Sequence, residues 1–274
     1  MKIAQFFKEQ KSKTALVVVG LILIGAPIAS CTMHKSNLSN LKKMSEAELQ
    51  MAEAYRLEGR YAEALQELLK AKDYYDKDPL LYNNLGLVYI AKHEYTKALE
   101  SFQKALEIDP ENAEIANNMG GTYIVLKEWD KAIQCFEKAS KNLLYPTPHR
   151  PLTNLGIVCY EMKDYQRSIS YFKKALDAVP IFYEGDKNQI YKGIGCSYIA
   201  IGNYKEAIKN LEKAVSLAKT FAVAYYELGI AYSMSDFPDK ALESFDKALK
   251  ITKNDTLREQ VQAAIDRLKQ QRHQ

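Results

Sequence analysis

What most constrains this chain is a period. Residues 79–112 read PLLYNNLGLVYIAKHEYTKALESFQKALEIDPEN, and a shift of 34 residues recovers the same order of residue types. A self-similar period of this length marks helix pairs that cannot bury their apolar faces alone and so must stack on their neighbours. Small residues recur where the two helices of a pair have to touch. They are Ala52, Gly86, Gly120, Gly156, Gly195 and Gly229 in the first helix of each pair. In the second helix they are Ala64, Ala98, Ala132, Ser168, Ala207 and Ala241, then Ala71, Ala105, Ala139, Ala175, Ala214 and Ala248. Large side chains at these points would hold the backbones apart. The first-helix glycines are spaced by 34 from Gly86 to Gly120, 36 to Gly156, 39 to Gly195 and 34 to Gly229. Two connections, around YPTPHR and FYEGDKN, therefore carry extra residues.

Within 79–112, Tyr82, Leu85, Gly86, Tyr89, Ala98, Phe102 and Pro110 fall on the tetratricopeptide pattern, with an aromatic Tyr82 where Trp is usual. The expected fold is all-α: a superhelical solenoid of six tetratricopeptide helix pairs over residues 45–253, followed by a capping helix and tail over 254–274. Leu257, Val261, Ala264, Ile265 and Leu268 form the single apolar stripe of that cap, opened by a capping box of Thr256 and Glu259.

The N-terminus reads differently. Residues 1–13 hold Lys2, Lys8, Lys11 and Lys13 against Glu9, and residues 14–30 hold no charge. Those 17 residues sit at the lower edge of a bilayer span and contain Gly20, Gly25 and Pro27, so residues 1–30 read as a signal peptide. It ends in Ile28-Ala29-Ser30-Cys31, which resembles the lipobox of bacterial lipoproteins. That resemblance implies cleavage before Cys31 and a covalent lipid on its thiol, a firm tether once two or more acyl chains are present. Residues 31–44 then form the lipidated cysteine and a polar, flexible linker. The whole chain carries +4, most of it in the signal segment, so the remainder is near neutral and lacks the basic face that nucleic acid requires.

Chemistry is sparse. His34, His93, His149 and His273 fall in the linker, a turn, a loop and the tail, with no ligand spacing between them. Cys135, Cys159 and Cys196 lie in different repeats; Cys159 stands where Tyr89 and Tyr123 stand, a core position, and no disulfide is expected. Carboxylates are scattered over solvated helix faces. The reading is no enzyme, no cofactor beyond the lipid on Cys31, no metal and no small-molecule substrate.

A helical solenoid presents its first helices on a concave face, so the groove can be read by repeat position. It takes Asn83, Asn84, Leu87 and Ile90 from one repeat, Asn117, Asn118, Gly121, Ile124 and Val125 from the next, and Asn154, Ile157 and Tyr160 from the third. The amides both donate and accept, which suits a partner's backbone whatever its sequence. The rest of the lining is apolar, and Arg150 and Lys192 are too few cations to clamp a terminal carboxylate. An apolar helix or extended segment fits. Gly121 follows Gly120 directly, and a helix-interior glycine costs on the order of 1 kcal/mol against alanine; as a groove residue it would admit a close backbone.

The stretch 112–176 resembles the type IV pilus pilotin lipoproteins, the PilF/PilW group. The resemblance rests on Asn117-Asn118-x-Gly120-Gly121, Ala139-Ser140, Leu144-Tyr145-Pro146, Arg150 and Asn154-Leu155-Gly156, together with the lipobox. It implies an outer-membrane lipoprotein facing the periplasm that brings the pilus secretin to that membrane and promotes its multimerisation. The alternative is a general lipid-anchored repeat scaffold for cell-wall hydrolases, proteases or outer-membrane assembly factors.

Overall fold

The computed structural model describes residues 37–272. The signal segment, Cys31, His34 and His273 lie outside the described residues. Among those described, every regular element is helical, as the period requires, and no helix is long and apolar enough to cross a membrane.

The chain divides into two compact units, ending and beginning at His93 and Glu94. The first contains α1 (37–57), α2 (Tyr61–Tyr74) and α3 (Pro79–Ala91). The second contains α4 (Tyr95–Ile108), α5 (Ala113–Val125), α6 (Trp129–Lys141), α7 (His149–Glu161), α8 (Tyr165–Asp177), a 3-10 turn (Ile181–Asp186), α9 (Lys187–Ala200), α10 (Tyr204–Leu217), α11 (Ala222–Ser233), α12 (Pro238–Ile251) and α13 (Asp255–Arg272). The division falls inside the repeat expected at 79–112.

In the first unit α1 already runs at residue 37, inside the stretch expected to be a flexible linker to residue 44. Polar composition hid the helix. Ser45, Leu49 and Ala52 are buried along one stripe with half-buried Leu41 a turn earlier, the spacing that turns one helix face inward. Lys42 also sits 4.7 Å from the centroid of the Tyr75 ring, fixing the early turns to the end of α2.

The second unit shows how each pair closes. A methyl group on Gly120 would come within 2.7 Å of the Phe136 ring, and one on Gly156 within 2.7 Å of Phe172; real side chains do not approach so closely, so only glycine lets the two helices meet. Facing them, Ala132, Ala139, Ala175, Ala207, Ala214, Ala241 and Ala248 have no exposed surface. Ser168 replaces the usual alanine and is equally buried; its hydroxyl donates to the Gly156 carbonyl at 2.8 Å and lies 3.0 Å from the Ser197 hydroxyl. Each turn inside a pair passes through one left-handed residue: Lys127, Lys163, Gly202 and Asp236 here, and Gly59 and His93 in the first unit. These six keep the spacing of the repeat.

First helices of successive pairs also pack on one another, α5 on α7, α7 on α9, α9 on α11 and α11 on α13. They form the inner face of this unit. At its end Val261, Ile265 and Leu268 are buried as the stripe predicted, but the cap of α13 is Asn254, whose side chain accepts from the Leu257 amide at 2.8 Å. Asn254 occupies the N-cap three residues ahead of Leu257, so the helix begins one residue before Thr256 and leaves no place for the expected capping box.

Candidate functional site

The extra residues of the two long connections are accounted for. The first is the turn from Asn142 to Pro148 between α6 and α7, the second the 3-10 turn Ile181–Asp186 before α9. His149 joins them. Expected in a loop, it is the first residue of α7 and only 1% exposed. Its Nε2 lies 2.9 Å from Asp186 Oδ2, its ring is 5.6 Å from that of Tyr183, and its Nδ1 is buried with no hydrogen-bond partner.

Next to this anchor the inner face opens a cavity of 240 Å³ lined by Asn117, His149, Arg150, Thr153, Asn154, Asp186 and Gln189. Asn154 Nδ2 donates to Asn117 Oδ1 at 3.1 Å, which links α5 to α7 and leaves the Asn117 amine and the Asn154 carbonyl to pair with something else. Ile124 and Tyr160 are half-buried, while Val125 is 51% exposed and Ile157 38%. A methyl group built on Gly121 meets nothing within 4 Å. In the second unit, then, Asn117 and Asn154 are joined and Val125 and Ile157 of the same two helices are exposed, while Asn118 is half-buried and already engaged.

In the first unit the reading needs correcting. Leu87 and Ile90 are partly exposed, but Asn83 and Asn84 are 4% and 8% exposed, and Asn83 already has a polar partner. Buried amides are committed to the structure that buries them. Repeat position alone could not reveal this.

Further along the face the chemistry changes. Tyr160 on α7, Lys192 and Cys196 on α9 and Glu227 on α11 influence one another electrostatically. Burial pushes the Cys196 thiol up to about 12 and holds Glu227 above the usual carboxylate range against the opposing pull of Lys192. Burial, helped by Cys196 and Glu227, pushes the Tyr160 phenol up to about 12. The thiol and the phenol therefore stay protonated near neutral pH, and neither is an activated nucleophile. Glu227 was findable: it holds the repeat position of Asn84, Asn118 and Asn154, and an acid among amides marks a change in what the face can bind. Cys159 is fully buried, as a small core residue should be, and Cys135, Cys159 and Cys196 are free thiols. Among the described residues no group of three or more His, Cys, Asp or Glu side chains could hold a metal ion.

Family models described as Tetratricopeptide repeat match residues 79–112, 111–178, 147–220 and 193–256. The chain is a tetratricopeptide-repeat protein. Human intraflagellar transport protein 88 homolog is 27% identical to this repeat protein over 111 residues, 40% of the present chain and 13% of that relative, so the chain spans only a small part of such relatives' length. Among solved structures, PilF of Pseudomonas aeruginosa matches with a TM-score of 0.70 at 22% identity, over 82% of this chain and 99% of that one. PilW, a widely conserved type IV pilus biogenesis factor, matches at 0.69 and 23% identity, over 75% of this chain and 92% of its own. At these identities the likeness is one of fold, and the fold is one that presents extended binding surfaces to other proteins.

Proposed function

We propose that this repeat protein is a lipid-anchored periplasmic adaptor that holds a segment of the type IV pilus secretin along the inner face of its helix pairs. It thereby brings the secretin to the outer membrane and promotes its multimerisation. One observation carries the reading: α5 and α7 are joined by the Asn117–Asn154 pair and leave Val125 and Ile157 exposed, with the space at Gly121 unfilled. Apolar contacts supply affinity and the spare amide groups satisfy a partner's backbone. The role needs no chemistry, only a grip and a tether; acyl chains on Cys31 are that tether. Support comes from the shared fold with PilF and PilW over nearly their whole length, from the Leu144-Tyr145-Pro146 insertion and from the lipobox.

The test is genetic. A strain lacking this protein should keep secretin monomer and lose heat-stable multimers and surface pili, whereas Cys31→Ala should give a partial defect because the grip survives without the tether. Normal multimers in the deletion strain would overturn the secretin reading and leave a general scaffold in its place. Labelled fatty acid should enter the wild-type chain and not Cys31→Ala.

A further inference from the structure

The two long connections hold the most exposed apolar side chains of the second unit. Leu143 is 98% exposed and Leu144 92%, Ile181 83% and Phe182 97%. Loose chain does not account for this, because the residues around each are pinned. Asn142 Nδ2 donates to the Glu111 carbonyl at 2.8 Å while its Oδ1 accepts from the Leu144 amide at 2.9 Å. Tyr145 packs on the core of Ala113, Ala116 and Ala139, and Thr147 is buried. In the 3-10 turn the Tyr183 amide donates to the Pro180 carbonyl at 2.8 Å, and Asp186 is held by His149. Tyr145 and Thr147 anchor the first turn and Asp186 the second, while each turn holds two large apolar side chains out. Both lead from the second helix of one pair to the first helix of the next, and His149, at the end of the first turn, bonds directly to the second, so they sit on the same edge of the unit.

Cations without a paired acid stand beside the tips, with Glu111 and Glu137 lining the same hollow as Lys138 and Lys141. Lys138 and Lys141 lie in the last turn of α6 and Arg150 in the first turn of α7, all exposed. Among the described residues none of the three has a carboxylate in ion-pair range, whereas the acids of the second turn are engaged, Glu184 with Lys187 at 2.9 Å and Asp186 with His149. Protruding apolar tips beside unpaired cations do not suit a groove-seeking peptide, which needs a concavity. They suit the interface of an anionic bilayer, where apolar side chains enter the acyl boundary and cations meet the headgroups.

We infer that the Leu143-Leu144 and Ile181-Phe182 tips form a second, non-covalent contact with an anionic lipid surface, which orients the inner face of this unit on the membrane. The inference rests on the tethered reading for its proximity to lipid. Because Leu143 and Phe182 are almost wholly exposed, Leu143→Trp and Phe182→Trp add a reporter without disturbing the packing. The full chain carrying either substitution is mixed with vesicles of three parts zwitterionic to one part anionic lipid, with and without brominated acyl chains. Both variants should shift their emission to the blue and lose roughly half of the added emission on brominated lipid, with the effect weakened by salt. The wild-type chain, whose half-buried Trp129 packs against the core of Ala132, Phe136, Leu155 and Val158, should show neither change. A blue shift without bromine quenching would mean that a protein surface or a second copy covers the tips, and no shift would mean that they stay in water; either result overturns the inference. Fatty-acid labelling of Cys31 tests the tether separately, so the two can fail independently.

Discussion

Gly120 and Gly121 are neighbours on one helix and live under opposite rules. A methyl on the first strikes the Phe136 ring, while a methyl on the second meets only open space. The same contrast separates the seams within the helix pairs of the second unit from the inner face of that unit. Along the seams the same residue types return at every repeat, because a buried contact between backbones admits few solutions. Along the face the residues change from amides to apolar groups to Lys192 and Glu227, because no neighbour in the fold dictates them. Sameness marks what holds the fold, and variety marks what it offers.

The sharpest way to break the contrast is to violate a seam. Gly156→Val would push into Phe172, a ring 2% exposed that also lies 2.5 Å from a methyl built on Gly193 and so cannot retreat. We expect a loss of about 3 kcal/mol, the upper range for overpacking, read as a lower urea midpoint with unchanged slope. An unchanged midpoint would mean that the pair can open to admit a side chain.

His149 is the exception on the face, a residue whose removal should cost nearly as much. His149→Ala empties a buried site and strands Asp186, which we put at about 2 kcal/mol, and amide hydrogen exchange over 181–186 should quicken beyond that of α8 and α9. If that turn exchanges as before, its hold lies elsewhere. Ser168→Ala restores the residue that the other repeats carry yet removes the bonds to Gly156 and Ser197. Ser197 keeps its own bond to the Gly193 carbonyl at 2.8 Å, so the loss should be about 1 kcal/mol; a gain would show that the hydroxyl is merely tolerated.

These differences explain what could be read in advance. The helix pairs, their insertions and the apolar stripe of α13 were legible because burial between helices imposes small or apolar residues at fixed intervals. The early start of α1 was not, since Asn37, Lys42 and Lys43 face water and only Leu41, Ser45 and Leu49 report the packed side. Repeat position placed Asn117 and Asn154, which hydrogen-bond to each other, on neighbouring first helices, but gave no sign that Asn83 and Asn84 are buried, which depends on packing that position does not encode. His149 looked like a loop residue because its partner Asp186 is distant in sequence and was supplied by an irregular turn.

On the open face the sign should reverse. Gly121→Ala removes a helix-interior glycine where nothing stands in the way, so stability should rise by about 1 kcal/mol or a little less. Gly121→Leu should melt no lower than wild type yet weaken capture of the partner. A sharp fall in melting temperature would make Gly121 structural and erase its contrast with Gly120.

The smallest effect, at Glu227, tests whether the face pays for what it presents. Burial raises this carboxyl's pKa above its ordinary value of 4.5, and Lys192 only partly opposes the shift. The folded protein therefore holds a proton that the unfolded chain releases, so stability falls as pH climbs from the ordinary carboxylate value through the raised one. Below pH 4 the group is neutral in both states and the cost vanishes. Glu227→Gln keeps the shape without the charge. Its melting temperature should match wild type near pH 4 and exceed it at pH 7. A variant that melts below wild type at pH 7 would mean that attraction to Lys192 outweighs burial, and Glu227 would then belong with the residues that hold the fold together.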